Sequence, residues 1–367
     1  MVEWKKLGEV CKVLRGKRLT KSQLNESEGY PVLHGGSTPM GYYEEFNRKA
    51  NTTVVVNTGN AGCVFFYDKE FWSSDACFSL YPNKEIIDKF LYLYVYGCER
   101  ILKGKIRAGA MPTIDAKAVE DLLIPIPSLS EQQRIVSILD TFTSSISNLK
   151  QQIEERRKQY EYERDLLLDL EGKEGVEMKK LGEVCEIKNG YTPSTKKPEF
   201  WENGSIPWFT LEDIRKNGRI LSDAIKHITP TGVKKSGLFP QNSIIVSTTA
   251  TIGEYALITR NFLCNQQISC ISVKEATRGK LLPKYLYYLS NSIGNWCKKN
   301  VNGGGSLLIV STSKLNNLFI PLPPLSSQSR IVSILDTFEQ SIANLEEQLA
   351  MREKQYEYYR NQLLTFE

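Results

Sequence analysis

The sequence predicts a mixed α/β (α+β) protein built twice, with two globular heads joined by two long antiparallel coiled-coil helices and a pseudo-twofold internal repeat. Three observations carry this. The segments at the two ends of one half recur in the other half. About 40 residues free of Pro and Gly follow each head. Between the repeated ends lie short β-branched runs punctuated by Gly and Asn, the pattern of short strands and turns.

The repeat comes first because it sets the architecture. Lys179 to Cys185 copies Lys5 to Cys11 at a shift of 174 positions. Arg330 to Phe338 copies Arg134 to Phe142 without a change at a shift of 196, and Lys354 to Tyr358 copies Lys158 to Tyr162 at that same shift. The chain is two halves, roughly 1–175 and 176–367, with 22 more residues between the repeated ends of the second. The expected division is a first head at 1–129, a first long helix at 130–171, a second head at 172–325 and a second long helix at 326–367. Like ends and unlike middles separate a common frame from parts that differ in task.

The helices follow from local chemistry. Pro125 and Pro127 block backward extension, Ser130 is placed to cap, and Gln133 stands at the capping-box position. Apolar residues then recur at Leu139, Phe142, Ile146, Leu149, Ile153, Tyr160 and Leu167, and in the second copy at Leu335, Phe338, Ile342, Leu345, Leu349, Tyr356 and Leu363. This three–four alternation is a coiled-coil seam, and about 40 residues make a rod of about 60 Å. Arg156 and Arg352 interrupt it at matching places, where wet packing or a third partner is expected. A stripe of this kind needs a partner, and the other copy is the simplest. The rods are expected to hold the molecule together and also to dock partner subunits.

Each head follows one coarse plan. Val54–Val56 enters the turn-rich 57–62 and then the strand 63–66; Ile244–Val246 enters 247–253. A helix follows in each, around Phe90–Leu93 and Tyr285–Tyr288, then a Gly-bearing loop at 107–110 or 302–306. Polar side chains on such loops reach base edges, Asn or Gln suiting adenine and Arg or Lys suiting guanine. The candidate DNA-binding residues are Asn57, Thr58, Asn60, Lys105 and Arg107 in the first head. In the second they are Thr248, Thr249, Thr251, Gln266, Gln267, Asn302 and Ser306. Plain tight turns are the competing reading.

Charge favours the heads. Residues 1–129 hold 17 basic and 15 acidic side chains and 176–325 hold 19 and 10, whereas the two rod segments each carry a net −3. Positive charge concentrated on the heads is the footprint of contact with a phosphate backbone. Motifs for chemistry are lacking: no phosphate-binding Gly-x4-Gly-Lys loop, no Gly-x-Gly-x-x-Gly, and no Asn/Asp-Pro-Pro-Tyr/Phe tetrapeptide. His34 and His227 do not fall at corresponding positions, and eight scattered cysteines without Cys-x-x-Cys spacing read as reduced and buried, with no metal site expected. No run approaches the ~18 apolar residues of a membrane helix, so a cytoplasmic protein is expected. An enzyme acting alone and a coiled-coil scaffold that binds only protein are the alternatives.

The openings Lys-Leu-Gly-Glu-Val at 6–10 and 180–184, the segment Ile206-Pro207-Trp208-Phe209, and the helix starts near 127–135 and 323–331 resemble the specificity subunits of type I restriction–modification enzymes. The resemblance spans essentially the whole chain. It implies two target-recognition domains, each reading one half of a split double-stranded DNA site, and no catalysis by the chain itself. It implies as partners modification subunits that bind S-adenosylmethionine and methylate adenine, and restriction subunits that use ATP and Mg. The second helix start, Ser326-Ser327-Gln328-Ser329, departs from the first by losing its Glu and capping Gln, and a weaker cap is expected there.

Overall fold

The computed structural model describes residues 2–36, 38–302 and 308–366. The chain divides into two compact units: residues up to Gln151 together with the chain from Glu346 onward, and Gln152–Leu345. The division falls midway along both long helices, so each unit holds one head, the start of its own helix and the end of the other.

In the first unit an antiparallel four-stranded sheet runs in the order Cys11–Arg15, Cys77–Pro82, Thr52–Val56, Val64–Tyr67. A three-stranded sheet (Tyr42–Tyr43, Tyr30–Leu33, Trp72–Ser73) stands beside it, and a ribbon of Glu3–Lys6 with Leu123–Ile126 closes the head. The run Thr52–Val56 is buried along its whole length, as its unbroken β-branched sequence demands of a central strand. Helix Asp88–Gly97 covers it, burying Phe90, Leu91, Leu93 and Val95.

The second unit repeats this plan with one insertion. Its sheet runs Cys185–Asn189, Ile268–Val273, Ser243–Ser247, Tyr255–Ile258, and then gains a fifth strand, Ile220–Leu221, parallel to its neighbour. The offset between the heads is 176 at Tyr30–Leu33 and Ile206–Phe209, 191 at Thr52–Val56 and Ser243–Ser247, and 196 at Leu123–Ile126 and Phe319–Leu322. Most of the extra length therefore falls between Phe209 and Ser243, the stretch that holds helix Leu211–Asn217 and that added strand. Asp213 fixes it: buried, it accepts from the Thr210 and Ile225 backbone N–H groups and the Thr210 hydroxyl.

The long helices run Leu129–Leu168 and Leu325–Leu363, 40 and 39 residues. Every seam residue named above is buried or half-buried. In the first unit Phe142 stacks on Tyr359 at 5.3 Å and Lys150 pairs with Glu353 at 2.9 Å, so one helix descends as the other ascends. In the second, Tyr160 meets Phe338 while Leu167 packs with the cluster holding Ile331 and Leu335, again antiparallel. The ends of the rods complete the cores: Tyr356, Leu363 and Phe366 pack on the first head's cluster, and Tyr160, Leu167 and Leu168 on the second's.

Three expectations at the helices are corrected. Helix one begins at Leu129, capped by Ser128, whose hydroxyl accepts from the Glu131 N–H, and not by Ser130. The glutamine that matters is Gln132, fully buried, and its counterpart Gln328 is retained and equally buried, whereas the capping Ser128 is matched by Pro324, which has no hydroxyl to cap the second start. Gln132 accepts from Ile87 N–H and donates to Glu85 and Pro127 carbonyls at 2.8–2.9 Å. Gln328 does the same to Leu282, Lys280 and Pro323. Finally, the arginines that interrupt the seam lie over aromatic rings, Arg352 5.5 Å from Phe142 and Arg156 5.8 Å from Phe338. A guanidinium is weakly hydrated and stacks on a ring face without leaving the seam open.

Candidate nucleic-acid interface

At one end of each central sheet three loops meet, because antiparallel neighbours put a strand exit beside a strand entry. In the first head these are the turn 57–62 after Thr52–Val56, the turn 74–76 before Cys77–Pro82, and the hairpin 107–113. Thr113 bridges to both Thr58 and Arg107, tying the hairpin to the first turn. In the second head Ile309 bridges to both Thr249 and Asn302 in the same way.

The match extends to single hydrogen bonds. Asn57 N–H donates to Ala76 O as Thr248 N–H does to Gln267 O, and Ile114 N–H donates to Asn57 O as Val310 N–H does to Thr248 O. Gly62 and Gly253 close the two turns with φ of +80° and +91°, a region that glycine enters without cost. A Cβ at Gly253 would also lie 2.5 Å from the Gly294 carbonyl. Gly59, at φ +87°, is matched by Ala250 at +65°, so the second head keeps the turn even with a side chain in the left-handed region.

The sequence-predicted residues distribute unevenly over this end. Asn57 is buried, its amide donating to Asp75 O at 3.0 Å and its oxygen accepting from the Thr58 hydroxyl at 2.7 Å. Thr248 is buried too, against the Ser269 hydroxyl at 3.1 Å. These two build the turns. Thr58 and Thr249 are half-buried, and Asn60 and Thr251 are exposed. Arg107 is exposed on the hairpin, paired with Asp115, and Lys105 is exposed just before it. Gln266 is exposed and accepts from the Thr192 hydroxyl. Gln267 is half-buried, its backbone N–H held by Asn265 at 3.1 Å. Asn302 is exposed. Ser306 lies outside the described residues.

Register also brings in residues that local sequence did not single out. Lys17 N–H donates to Ser73 O and Tyr191 N–H to Cys264 O, placing Lys17 and Tyr191 at one matched position beside the turns. Arg15 lies next to it, its Nε donating to Asp75 O at 2.9 Å. In the second head Lys234 sits 4.3 Å over the Tyr191 ring. Nothing in the local sequence around Lys17 or Asp75 marks them; only strand pairing does.

Among the described residues no group of three His, Cys, Asp or Glu is placed to hold a metal ion. His34 meets the Ser74 hydroxyl at 2.8 Å and His227 meets Asp223 at 2.7 Å. All eight cysteines are free and seven are buried. Burial pushes the Cys11, Cys185 and Cys270 thiols up to about 12, far from the reactive range. No helix among the described residues is long and apolar enough to cross a membrane.

The type I restriction modification DNA specificity domain model matches residues 1–156 and again 173–351. The EcoR124I/EcoR124II type I restriction enzyme specificity subunit of Escherichia coli is 33% identical, with all of this chain and 94% of the relative covered. The EcoprrI specificity subunit of Escherichia coli is 44% identical over 202 residues, 52% of this chain and 50% of the relative. Among solved structures, the type I restriction-modification system S subunit from M. genitalium superposes with a TM-score of 0.64 at 16% identity, covering 100% of this chain and 97% of that one, a likeness of fold. A chain from a study of complex assembly and conformational transition of the type I R-M system gives 0.64 at 20% identity, covering 99% and 96%. With two matched regions corresponding to the two repeated halves, the chain belongs to the type I restriction-modification DNA specificity family.

Proposed function

We propose that this chain is the sequence-reading subunit of a type I restriction–modification complex. Each head reads one half of a bipartite double-stranded DNA site, and partner subunits carry out adenine methylation and cleavage there. The functional parts are the heads 1–129 and 172–325 and the rods 130–171 and 326–367. The observation that carries the reading is the loop end of each head: one frame, with its principal backbone hydrogen bonds repeated, presents different exposed side chains in the two heads. A frame kept constant under varied polar tips suits a reader of two different half-sites. Of the predicted residues, Thr58, Asn60, Lys105, Arg107, Thr249, Thr251, Gln266, Gln267, Asn302 and Ser306 are proposed to face DNA, with Asn57 and Thr248 shaping the turns. S-adenosylmethionine, ATP and Mg belong in this reading to the modification and restriction subunits, which dock on the rods, and the chain itself needs none and acts in the cytoplasm.

The test is a head exchange. Replacing residues 12–123 with the head of another family member, in complex with the modification subunits, changes one half of the methylated site and leaves the other. Adding four residues near Ile153, about one turn or ~6 Å, changes the spacer only. A head exchange that alters both half-sites together breaks the scheme. A chain that shows no salt-dependent retention on DNA, alone or in complex, instead supports a scaffold that binds protein only.

A further inference from the structure

The turn before the inner strand of each head is the best-matched pair of loops in the molecule. Ser74 N–H donates to Leu33 O as Asn265 N–H does to Phe209 O. Cys77 N–H donates to Ser74 O as Ile268 N–H does to Asn265 O. The Ser74 hydroxyl accepts from Ala76 N–H at 3.2 Å, and the Asn265 side-chain oxygen accepts from Gln267 N–H at 3.1 Å. The middle residue of each turn is therefore held at the same place by the same bonds. It is Asp75 in the first head and Gln266 in the second.

Asp75 is unusual in its surroundings. It sits beside Arg15 and near Lys17, where a surface meeting phosphates would be expected to carry only cations or neutral groups. Yet no cation pairs with its carboxylate among the ion pairs of the described residues, and its Oδ1 is buried without any hydrogen-bond partner. Its backbone carbonyl, by contrast, is doubly engaged, by Arg15 Nε and the Asn57 amide. The loop is thus rigid; the buried Oδ1 is closed off from any base, and the other carboxylate oxygen, Oδ2, which is not buried, is left without a partner as the acceptor. A carboxylate accepts and cannot donate, so it is repelled by phosphate and by the acceptor edges of guanine and thymine. In the major groove it suits an exocyclic amino group, that of cytosine N4 above all. An amide at the same position both donates and accepts, and so suits adenine through N6 and N7.

We infer that Asp75 and Gln266 are one specificity-determining position used twice, with Asp75 accepting from an amino-bearing base, cytosine by preference, in the half-site of the first head. This rests on the proposed DNA-reading function and adds to it the residue and the base chemistry. Arg15, through its bond to the Asp75 carbonyl, is a positioning residue.

The experiment selects bound duplexes from a randomised bipartite library with the full chain in complex with its modification subunits. It compares the wild type, D75A, D75N and Q266A, each with a thermal melt. D75A is expected to relax preference at one position of one half-site about tenfold. D75N, isosteric but carrying a donor, is expected to admit a base with an acceptor edge there. Both leave the second half-site untouched, and Q266A does the reverse. Unchanged preferences in both D75A and D75N overturn the inference. So does relaxation at both half-sites, or a loss of preference that tracks a lowered melting temperature in both variants, since either places Asp75 in the frame. A wild-type complex without any sequence preference overturns the DNA-reading function itself, an outcome none of the variant results imitates.

Discussion

Gln132 and Gln328 make the same three hydrogen bonds in the two halves, whereas the exposed loop ends keep the same backbone bonds and change their side chains. At the head–helix junction the side chain itself is the joint. It satisfies one backbone N–H and two carbonyls that have no place in either the helix or the sheet, and no other residue type of that size offers both an acceptor and two donors. At the loop ends the joints are made by backbone and by small residues, the buried Asn57, Thr248 and Ser74 and the half-buried Asn265, so the exposed positions between them are free to vary without loosening the frame. A reading head can change its text only if its fold does not depend on the letters.

The largest test of this contrast is at the junction. Gln132→Leu strands one buried and two part-buried backbone groups, the buried one at about 1–3 kcal/mol and the others at less, and should cost about 2–4 kcal/mol. Gln328→Leu should cost as much. Urea denaturation with hydrogen exchange should show each variant loosening its own unit, the first up to Gln151 with the chain from Glu346, the second Gln152–Leu345. A loss below about 1 kcal/mol in either would mean that the junction is not held by its glutamine.

A second test uses a place where the rods are unlike. Glu339 in the second unit accepts from the hydroxyls of Tyr160 at 3.3 Å and Tyr287 at 3.1 Å, with the Lys284 ammonium 3.9 Å away. Burial first, and the Glu339 carboxylate after it, push both tyrosine hydroxyls well above their ordinary range, so they remain donors at all physiological pH. The first half has Thr143 at the corresponding position. Glu339→Thr should therefore destabilise the second unit by about 1–3 kcal/mol and leave the first unchanged. An equal response in both units, followed by the same exchange measurements, would contradict a local role for this cluster.

The smallest expected effect is at the loop end. Ala250 holds φ +65° where the first head has Gly59 at +87°. Ala250→Gly should relieve strain and raise stability by up to about 1 kcal/mol, with DNA preference unaltered. A clear destabilisation would show that the methyl group packs and is not merely tolerated.

Much of the frame was legible in the residues alone. Nine identical residues at a fixed shift establish the duplication, and the absence of Pro and Gly over 40 residues with a three–four apolar alternation establishes the rods, since helix periodicity is a local property. The start of the helix was misplaced by two residues because capping and tertiary anchoring compete there, and a fully buried Gln132 looks in sequence like one more polar residue beside Gln133. The seam arginines were read as gaps because a ring lying over a guanidinium belongs to the other helix, far away in the chain.

The sequence by itself determined the two halves, their long helices, the buried strands Thr52–Val56 and Ser243–Ser247, and the glycines that turn the chain after them. It could do so because repeats, periodicity and glycine's backbone freedom act within a few residues of one another. Tertiary structure alone decided which loops share an end. The matched turns lie at an offset of 191, a value between the shifts of 174 and 196 that the repeated ends display, because extra residues, helix Leu211–Asn217 and its strand among them, are inserted between Phe209 and Ser243 of the second head. Only the pairing of Val56 with Cys77 and of Ser247 with Ile268 sets Asp75 opposite Gln266 in the comparison of heads, and strand register is a non-local choice made by burial across the whole sheet.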